Sequence, residues 1–144
     1  MRRSQKVEHA FRAMLELALA EGPEVTAVAA IAENTGVPKK FLELILAELR
    51  KAGLVQSKRG PTGGYRLARP ADAIPLAEVW EAVEGPLGAV VPVSGALRLS
   101  RSEESLHELW RELELELRAA MQKVTLAELR RRSQQPRTFE DYVI

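Results

Sequence analysis

The chain contains no cysteine and only two histidines among its 144 residues. The absence of cysteine excludes disulfides, thiolate metal sites and a cysteine nucleophile. No apolar run approaches the ~20 residues that a membrane-spanning helix needs. The charged first residues, MRRSQKVEHAF, lack the apolar stretch of a signal peptide. We therefore expect a cytoplasmic protein without membrane contact, which folds as one domain or as a small domain with an appendage.

Residues suited to catalysis are few, and they do not form a catalytic pattern. The stretch HELWR begins at His107 like a zinc-protease helix, but Arg111 stands where the second histidine is required. No serine lies in a nucleophile elbow. The stretch RGPTGGY lacks the lysine and the serine or threonine of a phosphate-binding loop. We predict that the chain is not an enzyme and binds no metal, and we interpret His107 as an interface or surface residue rather than a ligand or pH sensor.

Positive charge is concentrated in the first half of the chain. Residues 1–70 contain 12 Lys+Arg and 7 Asp+Glu, a net charge of +5, whereas residues 71–144 have a net charge of −4. The whole chain has a net charge of only +1. This division favours an anionic partner for the first half, although a solvated charge pattern that divides unevenly would look the same.

The first half also has the pattern of a helix-turn-helix. An apolar stripe predicts a helix over residues 4–20 with Ser4 as its N-cap, and Thr26 is expected to cap a short second helix. A third helix is expected between Pro38 and Gly53. The second and third helices are joined by the tight turn NTGVP, which is the outline of a helix-turn-helix.

A cationic hairpin is predicted directly after the third helix. Residues 57–70 read SKRGPTGGYRLARP, with glycines and a proline between two short apolar runs, which is typical of a hairpin tip. Lys58, Arg59 and Arg66 place positive charge on this hairpin, which would be the wing of a winged helix. A fourth helix is expected from Pro75 to Glu84.

The second half is predicted to contain a long amphipathic helix. Residues 86–102 have few helix signals and are interpreted as a loop, whereas residues 103–124 have an apolar stripe with spacings of three and four. The stripe either packs on its own domain or pairs with a second copy of the chain; we favour dimerisation through Leu106, Trp110, Leu113, Leu117 and Met121. Thr125 and Glu128 suit a capping box for a short last helix.

These elements predict a mainly α fold with a small β-hairpin wing: a winged helix-turn-helix domain plus a long C-terminal dimerisation helix. We divide the chain into a DNA-binding domain, a loop, the dimerisation helix with the short last helix, and a tail that we expect to be disordered; these are residues 1–85, 86–102, 103–132 and 133–144. The third helix has Lys39, Lys40 and Glu43 on its polar face, which can enter the major groove, while the wing reaches the backbone or minor groove.

Two alternatives remain open from the residues alone. The winged helix can instead be a protein-interaction module whose wing binds an acidic partner, although the cationic wing tip favours DNA over a module used only for protein contacts. Leu44 borders the polar face of the third helix, where it either contacts a thymine methyl group or is partly buried against the domain.

The stretch RGPTGGYRLARP, followed by IPLAEVWEAVEGPL, resembles the Rrf-two family of bacterial winged-helix transcriptional regulators. FLELILAELRKAGLVQSKRG upstream and LHELWRELE downstream extend the resemblance in order from about Ser4 to Glu128. The resemblance implies a homodimer that regulates transcription, usually as a repressor, at a roughly palindromic operator of double-stranded DNA. By position it implies DNA contacts at the start of the first helix, the start of the third helix and the wing, namely Ser4, Gln5, Lys6, Lys39, Lys40, Glu43, Lys58, Arg59 and Gly60.

The chain departs from the iron–sulfur members of that family in the loop before the long helix. Those members have three cysteines there, whereas this chain reads GAVVPVSGALRLSRSEES. A cluster needs thiolate donors, so we expect no iron–sulfur cluster and no other cofactor. Val90, Val91, Val93 and Leu97 either line a pocket for an apolar effector or pack within the loop, and an unknown effector or partner protein is the remaining source of a signal.

Overall fold

The computed structural model describes residues 4–89 and 100–137, which form six α-helices and one antiparallel hairpin. The mainly α class with a small hairpin wing, predicted from the sequence, is confirmed. In chain order the elements are α1 Gln5–Leu19, α2 Val28–Thr35, α3 Lys39–Lys51, β1 Val55–Lys58, β2 Gly64–Leu67, a 3₁₀ turn Ala71–Ala73, α4 Leu76–Glu84, α5 Arg101–Gln122 and α6 Leu126–Ser133.

The core lies between α1 and the helix-turn-helix. Ser4 is the N-cap of α1, where its Oγ accepts a hydrogen bond of 3.1 Å from the Val7 backbone N–H. Gly36 ends α2 in the left-handed region, with φ of 73°, and allows the chain to turn sharply into α3. The buried side chains of α3 face α1 and α4; they are Leu42, Ile45, Leu46 and Leu49. This packing directs the opposite face of α3 outwards.

The expected N-cap of α2 is wrong by one residue, because Thr26 has a different structural role. Helix α2 starts at Val28, and its N-cap is Ala27, which makes no side-chain capping bond. The backbone of Thr26 instead pairs with that of Tyr65, through hydrogen bonds of 2.8 and 2.9 Å. Because this pairing satisfies two backbone groups, Thr26 extends the wing sheet rather than capping the helix.

Glycines in the wing are required by close backbone contacts. Strands β1 and β2 pair with Val55 opposite Leu67 and Lys58 opposite Gly64. A Cβ atom on Gly63 would lie 2.2 Å from the Lys58 carbonyl oxygen, and one on Gly64 would lie 2.1 Å from the carbonyl oxygen of Thr26. Only glycine therefore fits these two positions of the hairpin.

Helix α5 packs on α4, and its described neighbours bury none of its residues. It begins two residues earlier than predicted, because Ser100 and Glu103 form a capping box at its N-terminus. The Arg118 guanidinium of α5 donates a 2.6 Å hydrogen bond to the carboxylate of Glu81 on α4. The helix ends at Gln122, so Val124 lies after it rather than within it as expected.

Helix α6 returns to the core beside α1. Leu126 is fully buried, and its backbone N–H donates a 2.8 Å hydrogen bond to the Ile74 carbonyl. The N–H of Leu76 donates in turn to the Val124 carbonyl at 2.8 Å, so the starts of α4 and α6 are paired. The division of the chain at residues 85, 102 and 132 remains a prediction, and this packing places α6 against the first of those segments.

Only half of the expected capping box forms at the N-terminus of α6: Thr125 caps the helix, but the Glu128 side chain binds other residues. Thr125 Oγ1 accepts from the Glu128 N–H at 3.4 Å. The Glu128 carboxylate binds the guanidinium groups of Arg131 and Arg132, which lowers its pKa to about 2. Ser133, expected to begin the tail, is the last residue of α6, and residues 138–144 of that tail lie outside the described residues.

An ion pair fastens α6 to the end of α1. The guanidinium of Arg130 donates to the carboxylate of Glu21 and, at 3.0 Å, to the carbonyl of Ala18. Glu21 also accepts a 2.8 Å hydrogen bond from the Ala71 N–H. The hydrogen bonds from Arg130 and Ala71 lower the pKa of the Glu21 carboxyl.

Candidate nucleic-acid interface

The outward face of α3 has the residues predicted for base readout. Lys39, Lys40 and Glu43 are all exposed, on the side of the helix opposite its buried leucines and isoleucine. Leu44 is 61% exposed, so most of its side chain faces solvent on this side of the helix. The first two turns of α3 therefore present a mixed surface of cations, one carboxylate and apolar carbon.

The start of α1 lies beside the start of α3. A groove of about 610 Å³ runs between them and is lined by α1 residues Gln5, Lys6, His9 and Arg12 and by Phe41 and Leu44 of α3. Two of the three predicted α1 contacts, Gln5 and Lys6, are thus brought next to α3. The ammonium of Lys6 also forms a 2.9 Å ion pair with Glu48, which leaves its exposed hydrogen-bonding positions for an anion.

Ser4, the third predicted contact of α1, is engaged within the protein. Its Oγ accepts from the Val7 N–H as the N-cap, and its hydroxyl donates to the Glu84 carboxylate. A phosphate at this end of α1 would therefore meet the backbone N–H groups of the first turn rather than a free hydroxyl.

The wing presents its cations at the tip. Lys58, Arg59 and Gly60 are exposed, and neither Lys58 nor Arg59 forms an ion pair with any other residue that the structure describes. Gly60 has φ of 113°, a backbone conformation that only glycine adopts without strain, and its carbonyl accepts from the Gly63 N–H at 2.9 Å. The hairpin tip therefore leaves both side chains exposed to solvent.

Arg66 does not share this freedom, although the sequence suggested it as a third wing cation. Its Nη1 donates to the Pro23 carbonyl at 2.6 Å, and its Nε donates to Gln56 Oε1 at 3.2 Å. The guanidinium therefore holds the wing against the segment between α1 and α2.

Three further basic residues near these surfaces were missed by the sequence analysis. Arg50 Nη1 donates to Ser57 Oγ at 3.0 Å and joins the end of α3 to the wing, where it lines a groove of about 640 Å³ with Lys58 and Arg66. Its position seven residues after Glu43 was a usable signal, because that spacing places both on one helical face. Arg12 and His9 line the groove of α1, and no sequence motif distinguishes them.

A long apolar stripe on α5 is uncovered. Leu106, Leu109, Trp110 and Leu113 are each at least half exposed, whereas Leu117 and Met121 are partly buried toward the α4 side. The predicted stripe is therefore continuous on the helix, and none of the residues that the structure describes buries its N-terminal half.

The residues present do not fit an iron–sulfur cluster. The chain has no thiolate donor, and residues 4–89 and 100–137 contain no group of three or more His, Asp or Glu side chains placed to hold a metal ion. Val90, Val91, Val93 and Leu97, considered above as an effector pocket, lie outside the described residues. None of the helices in the described part of the chain is long and apolar enough to span a bilayer.

A helix-turn-helix followed directly by a two-stranded wing defines the winged helix-turn-helix fold, and the relatives that match this chain are transcriptional regulators. Residues 3–132 match the Rrf2 family, described as iron-dependent transcriptional regulators. The chain belongs to this family, as the sequence resemblance predicted. The members are regulators of transcription and not enzymes, which confirms the prediction of a non-enzymatic role.

Individual relatives match most of the chain. A Mycobacterium tuberculosis protein, provisionally named an HTH-type transcriptional regulator, is 40% identical over 130 residues, which are 90% of this chain and 81% of that protein. The HTH-type transcriptional regulator IscR of Cereibacter sphaeroides is 33% identical over 94% of this chain and 91% of its own. Among solved structures, CymR, the global cysteine regulator of B. subtilis, matches with a TM-score of 0.74 and 30% identity, covering 92% of this chain and 98% of its own.

Proposed function

We propose that this regulator is a homodimer that binds a roughly palindromic DNA operator and represses transcription, without an iron–sulfur cluster. One observation carries the proposal: the outward face of α3 and the tip of the wing present cations that pair with no carboxylate in the described chain. Lysine and arginine placed in this way bind phosphates and base edges of duplex DNA.

Each part of the surface has a separate role in this proposal. Lys39, Lys40 and Glu43 enter the major groove at the start of α3, while Lys58, Arg59 and Gly60 contact the backbone or the minor groove. Gln5, Lys6 and the N-terminal backbone groups after Ser4 contact phosphates. These separate roles follow from geometry, because a helix face reaches base edges in the major groove whereas a loop tip reaches phosphates.

Dimerisation supplies the second half-site. The uncovered stripe of α5 is expected to pair with its copy through Leu106, Trp110, Leu113, Leu117 and Met121, and Leu109 extends the same surface. Two identical α3 helices related by a two-fold axis would read the two half-sites of a palindrome, whose centres lie about one helical turn, roughly 34 Å, apart. Repression follows if the dimer occupies a promoter and excludes the polymerase.

The absence of cysteine gives this proposal a direct chemical test. Protein purified without oxygen is expected to be colourless, and cluster reconstitution is expected to leave less than about one iron per dimer, because no thiolate is present to replace solution ligands. A stable stoichiometric cluster, measured by absorption and iron analysis, would contradict the cluster-free assignment.

DNA binding itself is tested with purified protein and duplex DNA in gel shifts over a range of salt concentrations. We expect affinity to fall steeply as salt rises, since phosphate contacts release counterions. Selection from random duplexes should then enrich one palindromic sequence. No retention of any duplex at low salt would contradict the proposal and would favour the alternative of an acidic protein partner for the wing.

A further inference from the structure

Leu44 has the largest exposed fraction of any large apolar side chain that the structure describes, at 61%. Exposing a leucine to water is unfavourable relative to burying it, so a leucine this exposed on a binding surface is a candidate contact residue. It lies on α3, within the first two turns of the helix that the proposed function places in the major groove.

The position of Leu44 is central on the outward face. Lys40 precedes it by four residues, and Ala47 and Lys51 follow it by three and seven, so all four share one side of the helix. All four are exposed. The buried residues of α3 lie on the other side of the helix; they are Leu42, Ile45, Leu46 and Leu49. Glu43 lies a further 100° around the helix from Leu44, nearer its edge.

The surroundings of Leu44 indicate what it contacts. Lys39, Lys40, Lys6 and Arg12 lie around it or line the groove beside it, so the patch attracts a polyanion. An apolar side chain has no favourable contact with phosphate, but the major groove offers one apolar group on its base edges, the C5 methyl of thymine. Phe41, which is 54% exposed, borders Leu44 on the α1 side and widens the apolar surface.

We infer that Leu44 determines sequence specificity by contacting a thymine methyl group in the major groove. This inference rests on the proposed function. A second copy of the chain is a poorer occupant, because a symmetric contact at this patch would bring the same cations of two copies together. The apolar stripe of α5 is a separate and longer surface for such a copy.

The test removes only the methyl group. Duplexes enriched by the wild-type protein from a random library are resynthesised with single thymines replaced by deoxyuridine, which keeps base pairing and the O4 acceptor. We expect wild-type binding to weaken about three- to ten-fold at one thymine per half-site. The variant Leu44→Ala is expected to bind the thymine and deoxyuridine duplexes equally, whereas Leu44→Met, which keeps apolar length, retains the difference.

Controls separate this contact from general effects. Leu19→Ala truncates another exposed leucine, in the last turn of α1, and should retain the full wild-type penalty for deoxyuridine. Leu44→Ala should sediment as wild type does; a monomeric variant would show that a second copy covers the patch and would overturn the inference. So would wild-type protein that binds every deoxyuridine duplex as well as its parent, or a Leu44→Ala protein that keeps the full penalty. Failure of wild type to enrich any duplex is a different result, since it would remove the proposed function and the inference with it.

Discussion

Arg59 and Glu43 lie on two parts of the proposed DNA-binding surface that read different features of DNA. Arg59 is at the exposed tip of the wing, next to a glycine whose backbone can approach a phosphate closely, whereas Glu43 is on the outward face of α3. A cation at a loop tip binds the DNA backbone or a narrow minor groove, and this binding depends little on contacts with base edges. A carboxylate in the major groove accepts a hydrogen bond from the cytosine amino group.

Substitution of these two residues should therefore separate affinity from specificity. Arg59→Ala is expected to weaken binding to operator and unrelated duplexes alike and to reduce the salt slope by about 1. Glu43→Ala is expected to leave unspecific binding nearly intact while relaxing base preference by roughly 1–3 kcal/mol at one position per half-site. Titrations against the operator, its single-base variants and random duplex at several salt concentrations measure both effects. Equal binding of every duplex by Arg59→Ala and wild type would remove the wing from the mechanism.

The wing requires glycine at position 64, because there is no room there for a Cβ atom. Because a Cβ atom would lie 2.1 Å from the Thr26 carbonyl oxygen, Gly64→Ala must displace backbone rather than a flexible side chain. We expect a loss of about 1–3 kcal/mol in the free energy of unfolding, measured by denaturant titration. Gly22→Ala is the matched control and should change stability little, since its Cβ would lie 4.0 Å from the Ala20 carbonyl oxygen, an ordinary van der Waals contact.

At the scale of elements, α5 is expected to carry dimerisation through its uncovered N-terminal half. Leu109→Glu with Leu113→Glu should give monomers in sedimentation, because two charges would enter an apolar interface. These positions are at least half exposed, so the substitutions spare the packing of α5 on α4. Ala119→Glu adds a charge to an exposed position on the other side of the helix and should stay dimeric. A double variant that still sediments as a dimer would place the interface elsewhere.

Local signals in the sequence predicted the helices well, and long-range contacts explain what they missed. The burial of Leu42, Ile45, Leu46 and Leu49 follows from their spacing, which is visible within 8 residues of chain. The role of Thr26 depends on Tyr65, and that of Arg66 depends on Pro23, each far away in sequence. Such pairings leave no periodic signal, so the cap of α2 was assigned wrongly and the contacts of Arg66 within the protein were missed.

The same distinction applies to the candidate interface. The polar face of α3 and the cationic wing tip were predictable because a helical period and a turn motif place them. The groove between α1 and α3 was not, since it forms only when two helices separated by 19 residues of chain pack side by side. Arg12 and His9 therefore belong to a surface that only the tertiary structure reveals.

At the scale of the whole molecule, Glu21 connects α1, the 3₁₀ turn and α6. Because Arg130 and the Ala71 N–H lower the pKa of its carboxyl, its ionised form stabilises the fold above the pKa that it has in the unfolded chain. That contribution is lost as pH falls through the lower pKa of the folded state. We expect Glu21→Gln to reduce stability at pH 7 by a few tenths to about 1 kcal/mol, and the difference from wild type to shrink as pH falls below about 4.5, the ordinary pKa of a glutamate.

Denaturant titrations at several pH values measure this dependence. Glu24→Gln serves as the control, because Glu24 is an exposed carboxylate in the same segment. This variant should have the stability of wild type at each pH. A difference between Glu21→Gln and wild type that stays constant from pH 7 to about pH 3 would show that the carboxyl acts through its shape and not its charge.

The pairing of Leu76 with Val124 and of Leu126 with Ile74 has a mechanical consequence for α5. It fixes the C-terminal end of that helix to the winged domain, while the uncovered stripe lies toward the other end, about 33 Å away along a 22-residue helix. Glu114 and Arg118 attach the middle of α5 as well, through the Gly88 N–H and the Glu81 carboxylate, so the lever arm is the first 13 residues of the helix. A rotation of about 10° would move the end of this arm, which is roughly 20 Å long, by about 3 Å, close to the roughly 3.4 Å between neighbouring base pairs. In the proposed dimer the angle between this arm and the winged domain therefore sets which spacing of half-sites the two α3 helices can reach together.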